Sequence, residues 1–329
     1  MPTPVKADRL QHHLQKIGYD EKSTQYLVDG FKNGFSIGSS TPVESITANN
    51  SDNVKYNIEI VEKKLQTEIA AGRVLGPFDD PPFTPFHISP LNIRPKKDPN
   101  KFRLLHNLSH PYDGRSINAT IPEKNKTVKY SSVGDAIQKL VTLPHNTYTA
   151  KTDISDAFRL IPIRPDEYPK LGMKFKGKYY FDRNLPQGCG SSCKIFETFS
   201  TAVHAIFEAY TPSAICIHML DDFFVIATDY RTCKDHLNKL LSLCKDLGIP
   251  MAPEKTTDPG TNTTFLGVEL NTRLRQAKLP LDKLTEYKSN IESAIRSIKV
   301  TKTRPRIADW QTQLCSLSST CTTLPSPND

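Results

Sequence analysis

Residues 215–227 read ICIHMLDDFFVIA, and residues 148–158 read YTAKTDISDAF. In the first stretch two apolar segments flank Asp221 and Asp222, which is typical of a β-hairpin with an acidic turn. The second stretch predicts a strand that ends at Asp153. Adjacent aspartates are often ordinary turn residues. A third carboxylate at a strand end favours a metal site, because like charges at close range repel unless a cation lies between them.

The segments around these strands indicate an α+β fold. Residues 191–210 carry apolar residues at helical spacing, and residues 232–247 predict a second helix. Further strands are predicted at residues 101–108 and 264–270. We therefore expect a sheet with helices on one face.

The first hundred residues are predicted to contain helices in their first part and an extended segment in their last part. Two short helices are predicted within residues 7–34, and an amphipathic helix over residues 55–71. Residues 77–99 then contain seven prolines. Because proline is excluded from helix interiors and central strands, this part is expected to be an extended or linking segment.

The composition indicates a folded protein with a polyanionic partner. The chain has 329 residues, 37% of them hydrophobic, which suffices for about two domains with apolar cores. Lys and Arg number 43 against 35 Asp and Glu, for a net charge of +8. The basic residues cluster, with nine against three acids in residues 94–129 and ten against three in residues 273–306. Such clusters favour nucleic acid as the partner.

The sequence predicts an intracellular protein with no membrane partner. Its first residues lack the apolar core of a signal peptide, and no run of about 18 apolar residues is present. Seven cysteines, an odd number, are expected to be reduced thiols. The predicted location is the cytoplasm or nucleus.

Six motifs, taken in order, resemble those of reverse transcriptases, and most closely those of DIRS-type tyrosine-recombinase retrotransposons. The resemblance extends over about residues 10–300. A single motif would be unspecific, whereas six in family order are specific. They are SPLNIRPKKDPNKFRLLHNLS (89–109), AKTDISDAFRLIPI (150–163), LPQGCGSS (185–192), HMLDDFFVI (218–226), APEKT (252–256) and FLGVEL (265–270).

The resemblance implies a right-hand polymerase fold. Its parts would be an N-terminal helical extension (1–75), fingers and palm (76–270) and the start of a truncated thumb (271–301). Residues 302–329, rich in Ser, Thr and Pro, are expected to be a disordered or frameshifted tail. One choice of codons for residues 305–315, read one nucleotide later, encodes an amphipathic segment like the missing thumb helix.

The resemblance also implies the catalytic residues. Asp153, Asp221 and Asp222 match the palm carboxylates that bind two Mg²⁺ ions in this family, with Mn²⁺ as an alternative. Lys255 resembles a lysine proposed to protonate the pyrophosphate leaving group. A solvated loop residue is the alternative interpretation of Lys255.

Five further residues match nucleotide-binding positions. Lys96 and Arg103 would grip the triphosphate, and Gln187 and Gly188 would approach the nucleotide and template. Phe158 would exclude a ribose 2′-OH, so the substrate implied is a dNTP. The alternative interpretations are a solvated basic strand face for Lys96 and Arg103, a simple turn for Gln187 and Gly188, and core packing for Phe158.

The last motif resembles the hairpin that holds the primer end, with Phe265, Leu266 and Gly267 as contacts. One position departs from the family pattern, since Met219 stands where tyrosine is usual. Methionine keeps the apolar packing but loses the hydroxyl and the flat ring.

The function implied is RNA-directed DNA polymerase, which transfers a nucleotidyl group from a dNTP to a DNA primer 3′-OH on an RNA or DNA template. A truncated thumb would reduce processivity. The alternative is a catalytically inactive remnant that binds nucleic acid. Protein partners are not indicated by the sequence.

Overall fold

A computed structural model describes residues 1–96, 101–296 and 322–323. The predicted tail therefore lies outside the described residues except for its short strand. The chain forms two compact units. The first comprises residues 1–129, 154–206 and 243–250, and the second comprises residues 130–153, 207–242 and those described from 251 onward.

Helices and strands alternate through most of the described chain. The α-helices are α1 (Ala7–Lys16), α2 (Glu21–Asn33), α3 (Asp52–Lys55), α4 (Ile58–Ala70), α5 (Ile117–Thr120), α6 (Val133–Val141), α7 (Ser192–Tyr210), α8 (Tyr230–Leu247) and α9 (Leu281–Arg296). The strands are β1 (Ile46–Thr47), β2 (Val74–Phe78), β3 (His87–Ile88), β4 (Leu91–Pro95), β5 (Phe102–His106), β6 (Tyr148–Asp153), β7 (Gly172–Phe175), β8 (Lys178–Asp182), β9 (Ile215–Met219), β10 (Asp222–Ala227), β11 (Asn262–Phe265), β12 (Val268–Asn271), β13 (Gln276–Lys278) and β14 (Thr322–Thr323).

The first unit contains a five-stranded sheet in the order β1-β3-β7-β8-β2 and the separate antiparallel hairpin β4–β5. Helix α4 packs on both through its apolar stripe, as its helical spacing predicts. The shared core consists of Val54, Val61, Leu65, Val74, Leu91, Ile93, Met173, Phe175 and Tyr180. This core fixes the position of α4 against the hairpin that carries Arg103.

The second unit is built on a three-stranded antiparallel sheet in the order β6-β10-β9, with a further sheet formed by β11 to β14. Central strand β10 is buried from Phe223 to Ala227, which explains its continuous apolar sequence. Helix α6 begins at a reciprocal capping box between Ser132 and Asp135. The core consists of Ala136, Leu140, Ile217, Phe224, Ile226, Phe265 and Leu270.

The structure corrects three of the sequence-based expectations. Residues 264–270 are not one strand but parts of β11 and β12, because Leu266 and Gly267 both have positive φ and turn the chain. The proline-rich segment 77–99 is not merely a linker, since it contributes to β2 and contains β3 and β4. The strands also belong to several sheets instead of one.

None of the helices in the described part of the chain combines the length and the apolar character required to cross a bilayer.

Candidate active site

The predicted carboxylates meet at the edge of the three-stranded sheet in the second unit. Asp222, the first residue of β10, lies directly opposite Asp153, the last residue of β6. Directly opposed residues on antiparallel strands project their side chains on the same face. Asp221 lies beside them in the two-residue turn between β9 and β10. The turn begins at Leu220, whose φ of 53° is a strained conformation for a leucine.

The electrostatics of this edge reflect an excess of negative charge. Asp153 is only 5% exposed. Burial, together with the charges of Asp153 and Asp221, raises the pKa of Asp222 to about 6. A hydrogen bond between the carboxyls of Asp222 and Asp153 adds to this rise. The carboxylates therefore lie close enough to share a proton when no other cation is bound.

Lys255 supplies one positive charge to the group. Its Nζ donates a hydrogen bond of 2.6 Å to Oδ1 of Asp153. The short 3₁₀ helix Pro253–Lys255 is held against β6, because the Ala252 N–H donates to the carbonyl of Asp153 at 2.8 Å. Burial alone lowers the pKa of Lys255, but the hydrogen bond with Asp153 and the three carboxylate charges outweigh it and raise the pKa. The amine is therefore charged at neutral pH.

The donor set fits a hard divalent cation. Carboxylate oxygens are the ligands that Mg²⁺ prefers, and a divalent cation would offset the burial and the like charges that raise the pKa of Asp222. Within the described ranges, no three His, Cys, Asp or Glu side chains are gathered as tightly as in a finished metal site.

A cleft in the first unit collects several of the predicted nucleotide-binding residues. Lys96, Arg103 and Gln187 all line it. Arg103 lies on β5 opposite Arg94 of β4, and the hairpin is closed by a hydrogen bond of 2.6 Å from the Lys96 N–H to the carbonyl of Lys101. The cleft is also lined by Lys64, Glu68, Asp156 and Arg159. The structure therefore brings Lys96, Arg103 and the glutamine loop to one cleft, and their contacts with a nucleotide stay predictions.

A glycine is required at position 188 because the backbone of His106 lies very close to it. The φ of Gly188 is 130°, and a Cβ there would overlap the carbonyl oxygen of His106. The His106 N–H donates a hydrogen bond of 2.9 Å to the carbonyl of Gln187. The glutamine loop thus lies directly on the end of β5, and only glycine permits this approach.

The sequence analysis missed a buried ionic network beneath this loop. Arg159 donates to Asp182 at 2.8 Å and to Glu68 at 2.9 Å. It also donates to the carbonyls of Asn184 and Leu185, just before the glutamine loop. Nδ1 of His106 lies 2.9 Å from Asp182. An arginine within the apolar run FRLIPI was the signal that could have pointed to this network.

Arg159 is buried, and its acidic partners Asp182 and Glu68 stabilise its positive charge. Burial by itself lowers the pKa of Arg159, but the charges of Asp182 and Glu68 outweigh it and raise the pKa. Burial likewise acts to raise the pKa of Asp182, and the charge of Arg159 with the His106 contact lowers it overall. The network is therefore ionised on both sides.

Phe158 is placed by packing. Its ring lies edge-to-face on Phe196 of α7 with centroids 5.8 Å apart. It is half-buried and does not line the cleft of Lys96 and Arg103. A core role for this ring is therefore present in the structure, and a sugar-contacting role stays a prediction.

The predicted primer hairpin is β11–β12. Leu266 and Gly267 form its two-residue turn, with φ of 46° and 84°. Phe265 is 1% exposed and stacks on Phe224 with centroids 4.6 Å apart. The expectation for Phe265 is thereby corrected, because its side chain supports the hairpin from within the core. Only the turn residues are presented at the tip.

Comparison with known proteins places these sites in a family. A family described as "Reverse transcriptase (RNA-dependent DNA polymerase)" matches residues 94–270. The Gag-Pro-Pol polyprotein of squirrel monkey retrovirus is 24% identical over 216 residues, which are 63% of this chain and 10% of the polyprotein. The Gag-Pol polyprotein of woolly monkey sarcoma virus is 28% identical over 191 residues, or 54% of this chain and 11% of the polyprotein. The chain thus spans about a tenth of these curated relatives.

Solved structures confirm the polymerase-type fold. A foamy viral protease-reverse transcriptase in complex with double-stranded DNA superposes with a TM-score of 0.61 at 15% identity, covering 93% of this chain and 51% of that chain. The foamy viral protein in complex with an RNA/DNA hybrid gives a TM-score of 0.55 at 15% identity, covering 94% of this chain and 46% of that chain. Because the family match covers more than half of the 329 residues, the chain belongs to the reverse transcriptase family.

Proposed function

We propose that this chain is an RNA-directed DNA polymerase that transfers a nucleotidyl group from a dNTP to a DNA primer 3′-OH on an RNA or DNA template. The observation that carries the proposal is the register of β6 and β10, which sets Asp153 opposite Asp222 with Asp221 in the adjoining turn. Membership of the reverse transcriptase family supports it.

Asp153, Asp221 and Asp222 would hold two Mg²⁺ ions, or Mn²⁺ in their place. When bound, such ions lower the pKa of an attacking hydroxyl and neutralise the charge that develops on the transferred phosphate. Burial and the like charges of Asp153 and Asp221 raise the pKa of Asp222, and a divalent cation would offset both effects, which supports this assignment.

The protein's own residues then have separate tasks. Arg103 and Lys96 bind the triphosphate, since both line one cleft of the first unit. Lys255, charged and hydrogen-bonded to Asp153, donates a proton to the leaving pyrophosphate. Phe158 restricts the sugar to deoxyribose, and the turn Leu266–Gly267 contacts the primer.

The element of origin is proposed to be a DIRS-type retrotransposon, on the resemblance of the six motifs. Met219 departs from the usual tyrosine, and it pairs directly with Asp222 across the hairpin. The loss of a flat ring there is expected to lower catalytic efficiency without removing a metal ligand.

An intracellular location, in the cytoplasm or nucleus, is proposed as well.

Primer extension on poly(rA)/oligo(dT) with Mg²⁺ and dTTP tests the function. The wild-type chain is expected to extend the primer, and the double variant Asp221→Asn/Asp222→Asn to fall to background. Asp235→Asn is the matched control, because this exposed carboxylate lies on α8 and pairs with Lys239 in the same helix.

Equal incorporation by the wild type and the double variant would reject the site assignment. Tight template–primer binding with no incorporation by the wild type would instead identify an inactive nucleic-acid-binding remnant.

A further inference from the structure

The cleft that Lys96 and Arg103 line also contains charged residues from outside the segment that matches the family. Helix α4 contributes two charged residues to it, Lys64 and Glu68, and both precede the matched segment 94–270. The role of this N-terminal part does not follow from its sequence.

All three acids of the cleft, Glu68, Asp156 and Asp182, are paired with two arginines. Glu68 receives hydrogen bonds from Arg73 at 2.8 and 2.9 Å and from Arg159 at 2.9 Å. Asp182 pairs with Arg159 at 2.8 Å, and Asp156 pairs with Arg73 at 3.2 Å. Lys64, Lys96 and Arg103 are the further lysine and arginine residues that line the cleft.

Lys64 is such a cation, and its local partner is already occupied. On the helix, the carboxylate within reach of Lys64 is that of Glu68, four residues later. Both oxygens of Glu68 are engaged by the two arginines. Lys64 is half-buried and makes no hydrogen bond or ion pair with any other residue of the described ranges.

The position of Lys64 is fixed by the core. Val61 and Leu65, its neighbours on α4, are 0% and 2% exposed and pack with Ile93 of β4. Leu104 of β5 packs against the same core. Lys64 is therefore held beside the hairpin that carries Arg103, and a partly buried ammonium without a counter-ion favours an anionic ligand.

We propose that Lys64 is a third phosphate-binding cation, which contacts the triphosphate of the incoming nucleotide together with Lys96 and Arg103. The proposal rests on the proposed polymerase function, and it assigns a substrate-binding role to the N-terminal helical region. The ionic network of Arg73 and Arg159 has a defined part in it, because it keeps Glu68 from pairing with Lys64.

Steady-state primer extension with varied dTTP tests the proposal. Lys64→Ala is expected to raise the KM for dTTP about tenfold, the loss of one charge-assisted contact, with kcat nearly unchanged. Lys64→Arg is expected to stay close to the wild type. Lys63→Ala is the matched control, since Lys63 is its exposed neighbour on the same helix and the substitution removes the same charge. Equal KM values for Lys64→Ala and Lys63→Ala would overturn the proposal.

Binding of inorganic tripolyphosphate to the full chain, measured by calorimetry, separates this proposal from the polymerase function. Lys64→Ala is expected to bind about tenfold more weakly than Lys63→Ala even if the chain does not extend primers. Affinity for template–primer without nucleotide is expected to be the same in both. A loss of template–primer affinity with unchanged tripolyphosphate binding would overturn the proposal and place Lys64 on the nucleic acid. If Lys64→Ala does not fold, the same comparison is made with Lys64→Gln.

Discussion

Asp222 lies directly opposite Asp153, and burial with the charges of Asp153 and Asp221 raises its pKa to about 6. The folded protein therefore binds this proton more tightly than the unfolded chain, whose aspartates titrate near the ordinary value of about 3.9. The stability that Asp222 contributes is complete below that ordinary value and is lost as the pH rises through about 6. At neutral pH the ionised residue destabilises the fold.

We expect Asp222→Asn to melt about 3 °C higher than the wild type at pH 8, because it removes one of three crowded charges. The difference is expected to vanish at pH 4, where the wild-type carboxyl is protonated. Calorimetric melting curves at both pH values, without metal, measure this, and Asp235→Asn serves as the control. A lower melting temperature for Asp222→Asn at pH 8 would contradict the electrostatic account.

Single residues were predictable from sequence where a motif fixes the chemistry, and not where packing decides. The register of β6 and β10 brings Asp153 to Asp222, as the carboxylate pattern predicts. Phe265, by contrast, is a core residue, and Gly188 is required by the carbonyl of His106. Both facts depend on contacts between distant segments that a local motif does not contain.

At the scale of elements, the Arg159 network joins α4, β5 and β8. Its members are mostly buried, with side-chain exposure of 12% for Arg159 and 5% for Asp182. Removing one partner of a buried pair leaves an uncompensated charge. The network therefore links α4, β5 and β8 to the carbonyls that precede the glutamine loop.

Arg159→Met is expected to lower the free energy of unfolding by about 3–5 kcal/mol, because Asp182 and Glu68 lose their shared partner. Urea denaturation measures the change. Arg164→Met, which breaks an exposed pair with Asp166, is the control and is expected to cost less than about 1 kcal/mol. A loss as small as that of the control would show that Arg159 does not hold these elements together.

A substitution in the turn of the hairpin β11–β12 is expected to increase the stability of the fold. Leu266 has a φ of 46° in a turn where asparagine followed by glycine is favoured. Leu266→Asn is expected to stabilise the fold by about 1 kcal/mol and to raise the KM for primer, since the turn is the proposed primer contact. Leu274→Asn, an exposed leucine outside this turn, controls for the loss of apolar surface. An unchanged stability would contradict the proposed strain at Leu266. An unchanged KM for primer would contradict the proposed primer contact.

Element prediction from sequence failed where the turn signal was weak. The run FLGVEL lacks the usual Asn-Gly pair, so its residue pattern predicted one strand, and only the resemblance to the family indicated a hairpin. Strands β7 and β8 were also missed, although the sequence between Met173 and Asp182 is rich in aromatic residues. Helices α7 and α8 were predicted within a few residues, and α1 and α2 lie within the segment 7–34 that was predicted to hold two short helices.

At the scale of the whole molecule, the net charge of +8 and the basic clusters predict electrostatic binding of template–primer. Each phosphate that is neutralised releases counterions, so affinity falls steeply with salt. We expect the affinity for a template–primer duplex to fall about 10³-fold between roughly 50 and 200 mM KCl. Fluorescence anisotropy at fixed Mg²⁺ measures it, and an affinity independent of salt would exclude this mode of binding.

The polymerase fold was predictable because six motifs stand in one order, and the structural comparisons confirm it. The contribution of α4 to the cleft was not, because Lys64 and Glu68 lie in a segment with no motif. Their role depends on which carboxylates the arginines occupy, and that is a property of the folded molecule. The predicted domain limits, including the start of the thumb at 271–301, stay predictions.

The central claim is that Asp153, Asp221 and Asp222 together hold divalent metal. Electron paramagnetic resonance of Mn²⁺ added to the full chain with dTTP tests it most directly, with free Mn²⁺–dTTP subtracted. Wild type and Asp235→Asn are expected to bind Mn²⁺ with the same affinity, and Asp153→Asn and Asp222→Asn to lose that binding. Equal Mn²⁺ binding by all four proteins would contradict the account.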